Sequence, residues 1–259
     1  MERNDNYIKF LGTAGARYVV AKQIRASGGI FISLGGRNIL LDPGPGSLVR
    51  CAKSKPTIDV TKINAIILTH AHIDHSNDVN VIIDAMTEGG LKKRGLLFAP
   101  EDCISGENNI LFKYLKSYLN DIIILKPEST YFIDGIEFVT SIRLLHSVET
   151  YGIKFHFGDK MISFVADTAY FPQLIDSYRG SYMLIVNVVL YEKSKDKDIK
   201  HLCIDDVCKI IKEIKPEKTV LTHFGMTMIK AKPWEVANIL SKELGREVIA
   251  ASDGMTIEI

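Results

Sequence analysis

Residues 69–75 read Thr-His-Ala-His-Ile-Asp-His and directly follow the apolar run 63–68. Three imidazoles and one carboxylate thus stand within six positions, where an apolar β-strand ends. Nitrogen and oxygen donors at this spacing can surround one point, and they are ligands that Zn²⁺ and similar divalent ions take. A histidine-rich turn without function would need four such donors to coincide. The stretch therefore predicts a metal site in the loop after this strand, built on His70, His72, Asp74 and His75.

Composition limits the class of protein. The chain has 259 residues, enough for a sizeable core, and we predict a single domain over residues 1–259. Its 32 Lys and Arg residues nearly balance its 31 Asp and Glu residues, so overall charge does not predict the wrapping of long nucleic acid. The four cysteines include no CxxC pair and fit reduced thiols, although Cys203 and Cys208 could meet. No apolar run reaches the roughly 18 residues of a membrane span, so we expect a cytoplasmic protein without membrane contact, and a homodimer is allowed.

Strand and helix patterns alternate along the whole chain. In the first half, the predicted strands are 7–11, 30–34, 38–41, 63–68, 95–99 and 121–125, and the predicted helices are 47–53, 78–86 and most of 101–118. In the second half, the predicted strands are 131–133, 136–145, 151–157, 161–165, 183–189, 219–222, 248–251 and 256–259, and the predicted helices are 205–214 and 233–244. Two sheet-rich halves, each with its own helices, predict two sheets packed face to face with helices outside.

Three further polar residues stand where later apolar runs end. His146 follows the run 142–145, Asp167 follows 162–166 and His223 follows 220–222. Loops beyond strand ends carry functional groups on a rigid scaffold, so these side chains are candidates to converge with the cluster at 69–75. A single histidine after a strand is more often a hydrogen-bonded structural residue, but the neighbouring cluster favours a role as a metal ligand.

Taken together, these motifs resemble the metallo-β-lactamase-fold hydrolase superfamily over nearly the whole chain. The resemblance rests on HAHIDH at 70–75, His146, ADT at 166–168 and LTHF at 221–224, with FLGTAG at 10–15 and LLDPG at 40–44 as further similar segments. It implies an α/β fold, a four-layer αβ/βα sandwich with two mixed sheets. It also implies two metal ions, one held by His70, His72 and His146, the other by Asp74, His75 and His223, and both bridged by Asp167.

This ligand set indicates catalysis. Zinc is the expected metal, with manganese or iron as alternatives. Two ions about 3.5–4 Å apart can share a hydroxide and neutralise charge on a phosphoryl or carbonyl oxygen. Asp74 is expected to orient the hydroxide while it binds metal, and Asp42 is a candidate partner of a ligand. Sites that leave room for substrate are catalytic rather than structural.

Within the superfamily, segments 184–189, 201–202 and 220–225 resemble the phosphodiesterase branch, which includes RNase Z endonucleases and the phosphonate-pathway cyclic phosphodiesterase. In that branch a histidine between the bridging aspartate and the last ligand lies near the scissile phosphate. His201 stands at this position and is the candidate general acid, a role that suits an imidazole. A solvated loop histidine beside Lys200 is the alternative. The implied substrate is a small or cyclic phosphodiester or a short nucleic-acid end.

The chain also departs from both of these enzymes. RNase Z enzymes carry a long arm between the third histidine and the bridging aspartate, whereas one short hairpin separates His146 from Asp167 here. Residues 187–189 replace the His-Glu-Ala signature of that group, and residues 12–27 lack the cysteine cluster of the phosphonate-pathway enzyme. Two other functions stay open, namely hydrolysis of a lactone, thioester or other carboxylic ester, and a non-catalytic binding module that metal ions stabilise.

Overall fold

The computed structural model describes residues 6–106, 109–196 and 198–259. Strands β1 to β14 are, in chain order, Tyr7–Phe10, Ile30–Leu34, Arg37–Leu41, Ala65–Ile67, Leu96–Ala99, Asp121–Ile124, Thr130–Ile133, Ile136–Arg143, Tyr151–Phe157, Lys160–Val165, Met183–Asn187, Lys218–Thr222, Glu247–Ala250 and Thr256–Glu258. Helices α1 to α9 are Ala16–Ala21, Ser47–Lys53, Ile73–Ser76, Val79–Met86, Glu101–Ile104, Gln173–Tyr178, Ile204–Ile214, Met226–Lys230 and Pro233–Leu244. Two 3₁₀ helices span Val60–Lys62 and Lys113–Tyr118.

The first sheet, here called the N-terminal sheet, has the order β14-β1-β2-β3-β4-β5-β6 within the described residues. Strands β14, β1, β2 and β3 pair antiparallel, and β3 to β6 pair parallel. Gly35 and Gly36 join β2 to β3 with φ values of 54° and 74°, the left-handed conformation that a tight hairpin requires. The last strand of the chain thus returns to the first.

The second sheet, the C-terminal sheet, has the order β13-β12-β11-β10-β9-β8-β7 in the described part of the chain. Strands β7 to β10 form antiparallel hairpins, and β10 to β13 pair parallel. Both sheets are therefore mixed, as predicted. Parallel strands need crossover connections, and helices α6, α7 and α9 supply them on the outer face of this sheet.

Alternation along the strands produces four layers. Ile67 and Ile185 face the core between the two sheets, whereas Ile66 and Leu184 face outward to separate apolar clusters. Both outer clusters are covered by helices whose buried residues recur with helical spacing, at Val79, Ile82, Ile83 and Met86 of α4 and at Val207, Ile210, Ile211 and Ile214 of α7. The αβ/βα sandwich expected from the sequence is confirmed.

The helix predicted over most of 101–118 is wrong. Helix α5 ends at Ile104, and a 3₁₀ helix begins only at Lys113. Gly106 has a φ of 92°, which an α-helix cannot continue through. The Asn80 side chain then donates to the carbonyl of Ile110 and accepts from the Phe112 amide, so α4 holds this segment in an extended path. Glu107 and Asn108 lie outside the described residues.

Smaller differences concern element ends and the cysteines. The strand predicted over 183–189 ends at Asn187. Helix α2 spans 47–53 as predicted, and the hydroxyl of its first residue, Ser47, donates to the carbonyl of Gly44 and accepts from the amide of Gly29. All four cysteines are free, so Cys203 and Cys208 do not pair. No helix in the described ranges is long and apolar enough to cross a membrane.

Candidate metal centre

The predicted site residues meet at one edge of the sandwich, beyond the ends of strands from both sheets. His70 and His72 follow β4, and Asp74 and His75 lie in α3. His146 follows β8, Asp167 follows β10 and His223 follows β12. The loop expected at 69–75 is helical from Ile73 onward. The Ser76 hydroxyl donates to the carbonyls of Ala71 and His72, which stabilises this single turn.

One group at this edge consists of His70, His72 and His146. Each residue offers one ring nitrogen, and the three nitrogens lie within 4.8 Å of one another. Nε2 of His146 is 3.0 Å from Nδ1 of His72. Three imidazoles this close would repel one another if they were protonated. As neutral rings, they can instead donate their nitrogen lone pairs to one metal ion.

A second group consists of Asp74, His75 and His223, whose donor atoms also lie within 4.8 Å of one another. Oδ2 of Asp74 is 3.7 Å from Nε2 of His75 and 3.6 Å from Nε2 of His223. His223 has a φ of 60°, so the chain turns sharply there. Gly15 permits the backbone of His223 to approach closely, because a Cβ at Gly15 would overlap the carbonyl of His223.

Asp167 lies between the two groups. Its Oδ2 atom is 4.0 Å from Nε2 of both His70 and His146, and 3.5 Å and 3.3 Å from Nε2 of His75 and His223. Asn187 donates a hydrogen bond of 2.9 Å to the other oxygen, Oδ1. Asp167 is 2% exposed, so its carboxylate is fixed in a buried position within reach of histidines from both groups.

Hydrogen bonds at the far side of the rings fix their orientation. Nδ1 of His70 is 2.9 Å from the Thr69 hydroxyl, and Nδ1 of His146 is 3.2 Å from the carbonyl of Lys200. Nδ1 of His75 is 2.8 Å from Oδ2 of Asp42, which also accepts from the Thr69 hydroxyl. His70, His75 and His146 therefore turn Nε2 toward the centre, whereas His72 turns Nδ1 toward it and its Nε2 lies 3.1 Å from the Ser147 hydroxyl. Such partners tune metal ligands.

Buried histidine nitrogens without hydrogen-bond partners indicate whether these residues fit metal ions. Nε2 of His70, His75 and His223 is buried and has no hydrogen-bond partner within the described residues. Buried polar atoms are nearly always satisfied, and three orphans that face one point indicate a ligand there. The donor set of imidazoles and carboxylates is the one expected for zinc and similar ions, so the residues fit.

Burial and charge set the protonation states. Burial lowers the pKa of His70 well below its usual range and that of His146 to about 4, so both rings are neutral at pH 7. Burial also acts to lower the pKa of His75, but the carboxylates of Asp74, Asp42 and Asp167 outweigh it and raise that pKa well above the usual range. The field at this ring thus favours a positive charge, which a metal ion supplies.

His201 reaches the centre from the loop that follows β11. Its Nδ1 atom is 3.6 Å from Oδ2 of Asp167, and its ring centroid is 5.2 Å from that of His146. The side chain is 17% exposed, and burial lowers its pKa. His201 is therefore a mostly buried loop residue that lies beside the centre.

Two cavities of about 570 and 360 Å³ open beside the centre, and Arg17, His72 and His201 line both. Arg17 lies in α1, a helix that the sequence analysis did not predict. Its guanidinium has no hydrogen-bond or ion-pair partner in the part of the chain that the structure describes. Sequence reasoning also missed the contact of Asn187 with Asp167, although a polar residue at the end of an apolar run was a usable signal.

Comparisons with known proteins agree with this geometry. The family model "Beta-lactamase superfamily domain" matches residues 37–224. An uncharacterized protein of Methanocaldococcus jannaschii, MJ1374, is 33% identical over 265 positions, covering 97% of this chain and 94% of that protein. Ribonuclease Z of Borrelia garinii is 25% identical over 313 positions, covering 97% and 96%.

A similar solved structure is the metallo-beta-lactamase fold protein YhfI from Bacillus subtilis. It has a TM-score of 0.81 at 19% identity and covers 98% of this chain and 99% of its own. This likeness supports the fold, and the family match covers most of the strands that position the centre. The chain therefore belongs to the beta-lactamase superfamily, as a metal-dependent hydrolase with the metallo-β-lactamase fold.

Proposed function

We propose that this chain is a dinuclear phosphodiesterase that acts on a small or cyclic phosphodiester or on a nucleic-acid end. The observation that carries the proposal is the position of Asp167, whose Oδ2 atom lies within 4.0 Å of ring nitrogens from both groups. A carboxylate within reach of both groups is placed to serve as a shared ligand of two adjacent ions, and such pairs of ions catalyse phosphodiester cleavage.

The proposed ligands follow the two groups. His70, His72 and His146 would hold one divalent ion, Asp74, His75 and His223 the other, and Asp167 both. Ions bound there would supply a deprotonated water at neutral pH and positive charge for a phosphoryl oxygen. Asp42, Thr69 and Asn187 hold the ligands in orientation, which keeps the site rigid while substrate binds.

Two residues have proposed catalytic roles. Asp74 orients the attacking water with its carboxylate, which is held near the rings of His75 and His223. His201 in its imidazolium form would donate a proton to the leaving oxygen; burial lowers the pKa of this ring, and the nearby Asp167 carboxylate acts against that effect. The place of His201 in both cavities gives its ring access to a bound substrate. General acid catalysis of this kind contributes roughly 10²- to 10⁴-fold to the rate.

Charge and size support a phosphodiester. Arg17 is the one Arg or Lys residue, of those described, that lines both cavities, and a free guanidinium there suits a phosphate oxygen. A cavity of about 570 Å³ lies in the usual range for small ligands. The similarity to ribonuclease Z points to phosphodiester chemistry, but its 313 aligned positions exceed the 259 residues here, so that relative carries insertions that this chain lacks.

Turnover on matched substrates tests the proposal. Protein reconstituted with zinc, and in parallel with manganese or iron, is assayed on bis-p-nitrophenyl phosphate, p-nitrophenyl acetate and a lactone. The proposal predicts phosphodiester cleavage at a higher kcat/KM than ester or lactone cleavage. Cleavage of the esters alone would assign the site to carboxylic esters, the alternative that the same metals allow.

A further inference from the structure

A further cavity, of about 230 Å³, lies apart from the metal centre and is strongly basic. It shares no lining residue with the cavities around the centre. Four of its lining residues are cations and, within the described part of the chain, none is acidic; the lining comprises Lys9, Leu11, Arg50, Lys53, Ser54, Lys55 and Gly254. We call it the basic cavity.

Lys9 is the most unusual member. Its neighbours Ile8 and Phe10 face the core between the sheets, so the alternation of β1 turns Lys9 to the other face, where the residue is only 4% exposed. Its ammonium donates to the carbonyl of Lys55 at 3.2 Å and to the Thr256 hydroxyl at 3.1 Å. Both acceptors are neutral, and no described carboxylate lies within ion-pair distance. The ammonium is part-buried and has no counter-ion, so it has lost hydration that an anion would offset.

The other three cations increase this cost. Arg50 and Lys53 lie one helical turn apart at the end of α2, and Lys55 follows two residues later. Arg50 reaches Asp253 at 3.7 Å, but that carboxylate already accepts from Thr13 and from the amide of Ala26. Cations at a helix C-terminus stabilise the helix, which explains Arg50 and Lys53 but neither Lys9 nor Lys55.

We infer that the basic cavity binds a phosphate group, supplied by free phosphate or by a nucleic-acid backbone. An anion would provide the counter-charge that Lys9 lacks, and the guanidinium of Arg50 and the ammonium groups of Lys53 and Lys55 are donors suited to phosphate oxygens. The volume exceeds that of one buried water many times over. The site shares no lining residue with the cavities at the metal centre.

The test compares two double variants of the metal-loaded protein. Lys53→Ala/Lys55→Ala removes two exposed cations from the cavity, and Lys92→Ala/Lys126→Ala removes two exposed cations elsewhere. Calorimetric titration with inorganic phosphate and with pyrophosphate at low salt is expected to show a roughly ten-fold or larger loss of affinity for the cavity variant only. Any anion bound at the metal centre is common to all variants. The result is therefore the difference in anion affinity between the variants.

A second arm distinguishes the source of the phosphate. A single-stranded oligonucleotide is titrated at several salt concentrations. If backbone phosphates occupy the cavity, Lys53→Ala/Lys55→Ala weakens binding and lowers the salt slope by about 1.4, as for two lost contacts to a single strand. If the cavity variant binds phosphate or pyrophosphate more weakly but has an unchanged oligonucleotide isotherm, the ligand of the cavity is a free anion.

Equal isotherms for wild type and both variants, with all three ligands, would overturn the inference. Lys9→Met provides a further check once its circular dichroism matches that of wild type, and it is expected to weaken the same ligand. Because the readout is binding, loss of phosphodiesterase activity and loss of this site are separate results.

Discussion

Oδ2 of Asp42 lies 2.8 Å from Nδ1 of His75, and the same carboxylate accepts from the amide and hydroxyl of Thr69. Asp42 thus orients His75 directly and His70 through Thr69. Asp42 has a φ of 50°, which asparagine tolerates, so Asp42→Asn keeps the backbone while it removes the negative charge. We expect a 10- to 100-fold loss of metal affinity, measured by competition with a chelator.

The matched control for Asp42 is Asp159→Asn, in the exposed turn between β9 and β10. It carries the same change of charge far from the rings and is expected to leave metal affinity unchanged. Equal affinities for Asp42→Asn and wild type would mean that the hydrogen bond to His75 does not tune the site.

Asp167 and His72 are predicted to be required for metal. Asp167→Ala removes the carboxylate shared by both groups, and His72→Ala removes one donor of the first group. We expect no measurable phosphodiesterase turnover, with bound metal below that of wild type by elemental mass spectrometry. Asp84→Ala, an exposed carboxylate in α4, should retain both. Full metal content in Asp167→Ala would refute its bridging role.

His201 is predicted to act on the leaving group and not on metal. His201→Ala should retain the metal ions and lower kcat by roughly 10²- to 10⁴-fold on a diester with a poor leaving group. The loss should shrink on a nitrophenyl leaving group, which needs little protonation. His156→Ala, an exposed histidine in β9, is the control. Loss of metal in His201→Ala would instead make this residue a ligand.

Arg17 is predicted to select anionic substrates. A charged hydrogen bond contributes about 1.5–3 kcal/mol, so Arg17→Ala should lower kcat/KM for a phosphodiester by roughly ten- to hundred-fold while leaving an uncharged ester unaffected. Lys22→Ala, which ends the same helix but lines neither cavity, should change neither substrate. A parallel loss on both substrates would indicate a structural role for Arg17.

The sequence predicted the fold well wherever burial decided the pattern. The runs that became β4, β10, β11 and β12 are apolar on both faces, because each lies between the core and an outer helical layer. The error at 101–118 arose because local helical pattern was outweighed by Gly106 and by the hydrogen bonds of Asn80. The boundary of a single domain stays a prediction.

For the site, position after a strand was the informative signal. The residues from His70 to His223 that the sequence singled out do meet at one edge, because strand ends of both sheets meet there. Arg17 was not predictable in this way, since its role depends on where a short helix lies against a loop more than 170 residues later in the chain. Such a contact is set by tertiary packing and leaves no local pattern.

The dinuclear centre is tested most directly by the metal content of the purified and reconstituted chain, measured by elemental mass spectrometry together with turnover of bis-p-nitrophenyl phosphate. A dinuclear phosphodiesterase is expected to bind about two divalent ions per chain and to cleave the diester in a reaction that a chelator abolishes and added metal restores. A chain that binds no metal after reconstitution, or that cleaves the diester equally well without it, would contradict the dinuclear centre.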